Sequence, residues 1–171
     1  SGGTYSATSG TTTIVSEGGT ADYAWYNDAG TFIHNNGKVV IGTGSIGDTL
    51  VEESAFYDFD IHTSSAGADI VWHSKTGNTV TFYGNLDMTQ GRIRPNTPTD
   101  AFTIHGNLNV SANAQWGNAV NSFQGTVTVN GLVTNSGVFF TSTGTNNFNG
   151  GIRQLHATEG AGGFTSADTI T

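Results

Sequence analysis

Four carboxylates crowd one short stretch of the chain, Glu52, Glu53, Asp58 and Asp60. Paired carboxylates run glycoside hydrolysis, one as acid and one as base or nucleophile, and they also supply the oxygen ligands that Ca²⁺ takes. Asp58 and Asp60 are i, i+2, so on a strand both point outward, about 7 Å apart. They are the weak metal candidates of this chain. The plainer reading of the cluster is a solvated acidic edge that aids solubility. The G-G-x-G-x-D nonapeptide of calcium-binding β-rolls is absent. Five histidines are present, at 34, 62, 73, 105 and 156, and none pairs as H-x-x-x-H or H-E-x-x-H. Zinc ligation therefore has no local support. A serine in a G-x-S-x-G elbow does not occur, and Gly42-Thr43-Gly44 lacks the Lys-Ser/Thr of a phosphate loop. No catalytic residue and no cofactor is read from these patterns.

Trp25, Tyr26, Trp72 and Trp116 are a different kind of candidate. Aromatic rings on a flat β face stack on the apolar faces of sugars, which makes Trp72 and Trp116 candidate glycan contacts. The competing reading is that they fill a wide core. Asn109-Val110-Ser111 is the one N-x-S/T sequon, so Asn109 is the candidate glycosylation site.

What positions these residues follows from composition and repeats. The chain has 171 residues, 5 Lys+Arg against 13 Asp+Glu, and net charge −8. That balance excludes a nucleic-acid binder, which needs a basic face. Apolar runs of three or four residues are far short of the roughly 18 to 20 of a membrane helix. No cysteine is present, so disulfides and thiolate sites are excluded. Ten Phe, five Tyr and three Trp are enough to build a core. Charged residues are 11%, less than half the usual share of about 25%. Ser1-Gly2-Gly3-Thr4 lacks the charged start and apolar stretch of a signal peptide. Abundant Thr, Ser, Asn and Gly suits secreted and virion-surface proteins.

Two families of repeats run through the chain. Gly3-Thr4-Tyr5 with Gly10 and Ile14 matches Gly30-Thr31-Phe32 with Gly37 and Ile41, and the spacing returns at Gly137-Val138-Phe139 with Gly144 and Phe148. Val80–Gly84, Phe102–Gly106 and Val127–Gly131 form the second family, and each runs into a related tail such as Gly84-Asn85-Leu86-Asp87. Apolar and polar residues alternate with period two, and Gly and Asn punctuate the runs. Tyr57, Phe59 and Ile61 share one face, and Asp58, Asp60 and His62 the other. No stretch shows a helical stripe. Short strands, Gly/Asn corners and a repeat of about 25 residues predict an all-β, single-domain parallel β-solenoid of about six to seven turns. Tyr5 and Phe32, and Phe82, Ile104 and Val129, should then form apolar columns. Low charge follows, because stacking sets equivalent positions about 4.8 Å apart. An antiparallel β-sandwich or jelly roll explains the composition but not the repeated cassettes.

The run Ala29-Gly30-Thr31-Phe32-Ile33-His34-Asn35-Asn36-Gly37-Lys38-Val39-Val40-Ile41, followed by Phe56-Tyr57-Asp58-Phe59-Asp60-Ile61, resembles a cassette of large β-helical repeat proteins. Gly106-Asn107-Leu108-Asn109-Val110 and Thr134-Asn135-Ser136-Gly137-Val138-Phe139 are similar to a second one. Such proteins occur in extracellular bacterial surface structures and in phage tail-fibre or virion appendages. The likeness covers about residues 2 to 150 and concerns corners and core positions, so it implies fold and carries no catalytic residue. Asp58 and Asp60 depart from the Asn and Thr usual there, and the tail after Ala157 does not continue the cassette. Solenoid repeats are thus expected over 1–156, with 1–15 as first coil or donor strand, and 157–171 as a cap, tail or linking strand. The expected role is a non-enzymatic extracellular fibre subunit that associates with itself through β-edges. The alternatives are a carbohydrate-binding adhesin and, less favoured, a polysaccharide-degrading enzyme using Asp58 and Asp60.

Overall fold

A computed structural model describes residues 2–15, 22–27, 29–42, 49–53, 55–63, 68–73, 79–117, 123–155 and 164–165. The first nine strands come in threes: β1 (Thr4–Ser6), β2 (Thr11–Ile14) and β3 (Asp22–Tyr26), then β4 (Thr31–Ile33), β5 (Lys38–Gly42) and β6 (Thr49–Glu52), then β7 (Ala55–Phe56), β8 (Asp58–His62) and β9 (Asp69–His73). Two longer pairs follow, β10 (Thr79–Phe82) with β11 (Leu86–Pro95) and β12 (Ala101–Ile104) with β13 (Leu108–Trp116). The last are β14 (Val127–Val129), β15 (Val133–Asn135) and β16 (Val138–Phe140), then β17 (Asn146–Phe148), β18 (Ile152–Gln154) and β19 (Phe164–Thr165). No helix occurs among the described residues, and so none is long and apolar enough to cross a membrane.

Every pairing is parallel, and the chain is a three-sided β-solenoid. The first side is an unbroken sheet of five strands, β7-β10-β12-β14-β17, with β1 and β4 as a separate pair. Counted on that sheet the coil makes about five uninterrupted turns, fewer than the six or seven expected. The second side, β2-β5-β8-β11-β13-β15-β18, has seven strands because it continues through β5 and β2, where the first side breaks. The third side runs from β3 through β6 and β9 to the far half of β11, and from the far half of β13 through β16 to β19. β11 serves two sides, since its register shifts between Met88 and Gln90 and the strand bends there. Paired residues in successive turns lie between 19 and 28 residues apart.

The stacking places the expected columns. Tyr5 pairs with Phe32, and Phe82, Ile104 and Val129 lie in one register with Phe56 before them and Phe148 after. Val39, Phe59, Leu86, Leu108 and Val133 fill the second side, and Ile70, Ile93, Trp116 and Phe139 the third. Phe56, Phe59, Trp72 and Phe82 meet mostly edge to face, with centroids 4.8 to 6.5 Å apart. Each such pair adds about 0.5–1.5 kcal/mol beyond burial. Asn35 and Asn36 turn the corner between β4 and β5 at φ of 47° and 59°, the left-handed region that Asn tolerates.

Two details of the sequence reading are corrected. Gly137-Val138-Phe139 matches the spacing of Gly3 and Gly30, but β16 stacks on β13 on the third side, so it does not continue the Tyr5–Phe32 column. Tyr57 does not share the inner face of Phe59 and Ile61. It occupies the corner between β7 and β8 and packs outside with His34, while Phe56 points inward. The alternation resets at the corner, which period-two reasoning cannot register. Of the proposed tail, 157–171, only Phe164 and Thr165 are described, and they add to β16 in parallel.

Candidate functional site

The acidic cluster divides in space. Glu52 and Glu53 belong to the third side, where buried Glu53 accepts the Asn27 amide at 2.5 Å and offers its carbonyl to the Trp72 indole at 2.8 Å. Asp58 and Asp60 stand on the second side with two residues the sequence reading passed over, Lys38 and Asp87. Register explains the meeting: Asp60 pairs with Asp87, and Asp87 with Asn109. The sequence signal existed, since Asp87 occupies in Gly84-Asn85-Leu86-Asp87 the place that Asn109 takes one turn later.

Two in-register carboxylates repel. The Lys38 ammonium lies 3.7 Å from Asp60 and 3.1 Å from Asp87, bridging two turns. The other oxygens are also engaged. Asp60 accepts the Thr89 hydroxyl at 3.1 Å, and Asp87 accepts the Asn109 amide at 2.7 Å. Asp58 accepts the backbone N–H of Asn85 at 2.6 Å. Burial of Lys38 acts to lower its pKa, but the hydrogen bond and charge of Asp87, with the charges of Asp60 and Asp58, raise it above the usual 10.5. The cation held at this cluster is therefore the chain's own lysine. Among the described residues no group of three or more His, Asp or Glu is arranged to hold a metal ion.

Asp58 also begins a ladder along the corner. Asn85 accepts the N–H of Asn107 at 2.8 Å, and Asn107 accepts that of Leu132 at 2.9 Å. Asp58 thus does the work of an asparagine, taking a backbone proton from the next turn.

Trp72 and Trp116 are fully buried. Neither indole presents a face to a sugar, so the core reading replaces the glycan contact. They pack against Phe59 and Phe82, and against Phe123 and Phe139. Asn109 is half-buried near the start of β13, and its side-chain amide donates to Asp87 at 2.7 Å. The histidines divide: His34 and His105 join an outer stack, His62 ends β8, His73 ends β9, and His156 lies outside the described residues.

That outer stack is a feature the sequence reading did not assemble. Tyr83 stacks on His105 at 5.6 Å and meets His34 in a tilted contact at 5.3 Å, and His34 also meets Tyr57 at 5.7 Å. Asn130 extends it through His105 Nδ1 at 3.1 Å, and Asn149 through Asn130 at 2.9 Å. At the N-terminal end of the coil, Tyr5, Trp25, Tyr26 and Phe32 line an open groove of about 590 Å³. No known protein family, curated protein or solved structure matches this chain.

Proposed function

We propose that this chain is a non-enzymatic structural unit of an extracellular fibre or virion appendage, joined to its neighbours through β-edges. The observation that carries this reading is the continuous parallel stack, in which the apolar side chains of each turn pack inside the coil and against the turns beside it. Such a stack is extended by construction, and its hydrogen-bonded turns favour stiffness and resistance to proteases. The carboxylates that could have served hydrolysis are engaged by the chain itself, Asp58 by the Asn85 backbone N–H and Asp60 by Lys38 and the Thr89 hydroxyl, which favours the structural role over the enzymatic one. Negative-stain electron microscopy of native material is the test, with rods or filaments expected. Dispersed single particles, or a polysaccharide-cleaving activity lost in an Asp58→Asn/Asp60→Asn double variant, would overturn it.

A second reading, glycan binding, is favoured by the outer stack, where Tyr83 is half exposed. Glycan-array signals abolished by Tyr83→Ala would support it.

A further inference from the structure

Exposed apolar side chains are not spread evenly over this molecule. Seven large hydrophobics are exposed among the described residues: Tyr5, Val15, Tyr26, Ile33, Tyr83, Ile152 and Leu155. All but Tyr83 lie in the first two turns or the last one. Among the described residues, exposed large hydrophobics thus gather at the two ends of the stack. At the N-terminal end β1 and β2 are the outermost strands of their sheets, and β3 pairs only with β6. At the other end β17, β18 and β19 are outermost on their three sides. Edge strands of this kind present rows of backbone N–H and C=O groups toward the next strand.

We propose that the N-terminal end of one copy docks on the C-terminal end of a second copy, adding its first coil in parallel and in register. This rests on the structural reading above and names its partner and its residues. Three observations select a second copy. First, every pairing in the stack is parallel, so the covering element must carry parallel strands on three sides, as the far end of the same chain does. Second, both ends belong to the same columns. An unbroken register runs from Thr13 through Val40, Asp60, Asp87, Asn109 and Thr134 to Arg153, so Arg153 of one copy would flank Thr13 of the next. Tyr5 likewise lies on the side that ends in Phe148, and the aromatic groove at Tyr5, Trp25 and Phe32 would receive that apolar end. Third, charge permits it. Residues 2–15 carry no charged side chain, and Arg153 is the one charge in 146–155, so no like charges meet between these two segments. The contact is head to tail and does not close on itself, so repetition yields a filament.

The chain has no cysteine, so introduced ones report without background. Thr13 and Arg153 are both exposed, and adjacent parallel strands bring paired Cα atoms within disulfide range, about 4.4–6.8 Å. Thr13→Cys and Arg153→Cys are prepared separately, confirmed folded by circular dichroism, mixed in equal amounts and oxidised gently. A cross-linked pair containing one of each, and none from either variant alone, is expected. A mixture without cross-links, or pairs formed by one variant with itself, would overturn the proposal. Filaments in negative stain without the mixed cross-link would overturn this docking and leave the structural role standing. Single particles without it would overturn both.

Discussion

The carboxylate of Asp58 takes the backbone N–H of Asn85 at 2.6 Å, one turn along the coil, where Asn85 in turn takes that of Asn107. A site that invited a catalytic reading is therefore the first member of a ladder completed by asparagines. Asp58→Asn should change stability by no more than about 0.5 kcal/mol, whereas Asp58→Ala should cost about 1–3 kcal/mol. Urea denaturation of the two variants measures the difference.

The two buried tryptophans predict unequal responses. Trp72 donates its indole N–H to the Glu53 carbonyl at 2.8 Å, while the buried Trp116 Nε1 has no acceptor. Trp72→Phe should therefore be less stable than Trp116→Phe by about 1 kcal/mol. Either change to Ala should cost about 3–5 kcal/mol. Thermal and chemical melts of the four variants check the order.

Much of the fold was legible because a solenoid writes its core into the chain repeatedly. Phe82, Ile104 and Val129 could be aligned by eye, and the register sets them in one column. The limits lay at corners. Nothing in the alternation reveals that the strand breaks at Tyr57, or that the spacing at Gly137 is used on a different side. The site was less legible, because it depends on neighbours from other turns. Asp60 meets Asp87 and Lys38 only through register, and Glu53 leaves the cluster because β6 and β8 lie on different sides. The burial of Trp72 and Trp116 depends on how wide the coil is, which composition does not report.

Lys38 should give the molecule an alkaline limit. Its folded-state pKa is raised above 10.5, so its contribution is fully present below that value and is lost as pH rises through the folded one. Lys38→Met should cost about 0.5–1 kcal/mol at neutral pH, and the gap to the parent protein should close in the alkaline range. Denaturant midpoints between pH 7 and strongly alkaline pH test this.

Asn109 tests the argument about charge. Asn109→Asp would set three carboxylates, at 60, 87 and 109, in consecutive register, with Lys38 bridging the first two. A loss of about 0.5–1 kcal/mol at pH 7 is expected. It should shrink in high salt. Melting temperatures at low and high salt decide it.

The spacing of 19 to 28 residues between equivalent positions leaves the three-sided core in place, because the surplus is taken up between the paired strands and at the register shifts within them. Core and perimeter are thus free to diverge: a segment inserted at a corner lengthens one lap without displacing any rung. Such a molecule can acquire new surface in small, local increments, like a spiral staircase whose landings are widened one at a time while its treads stay aligned.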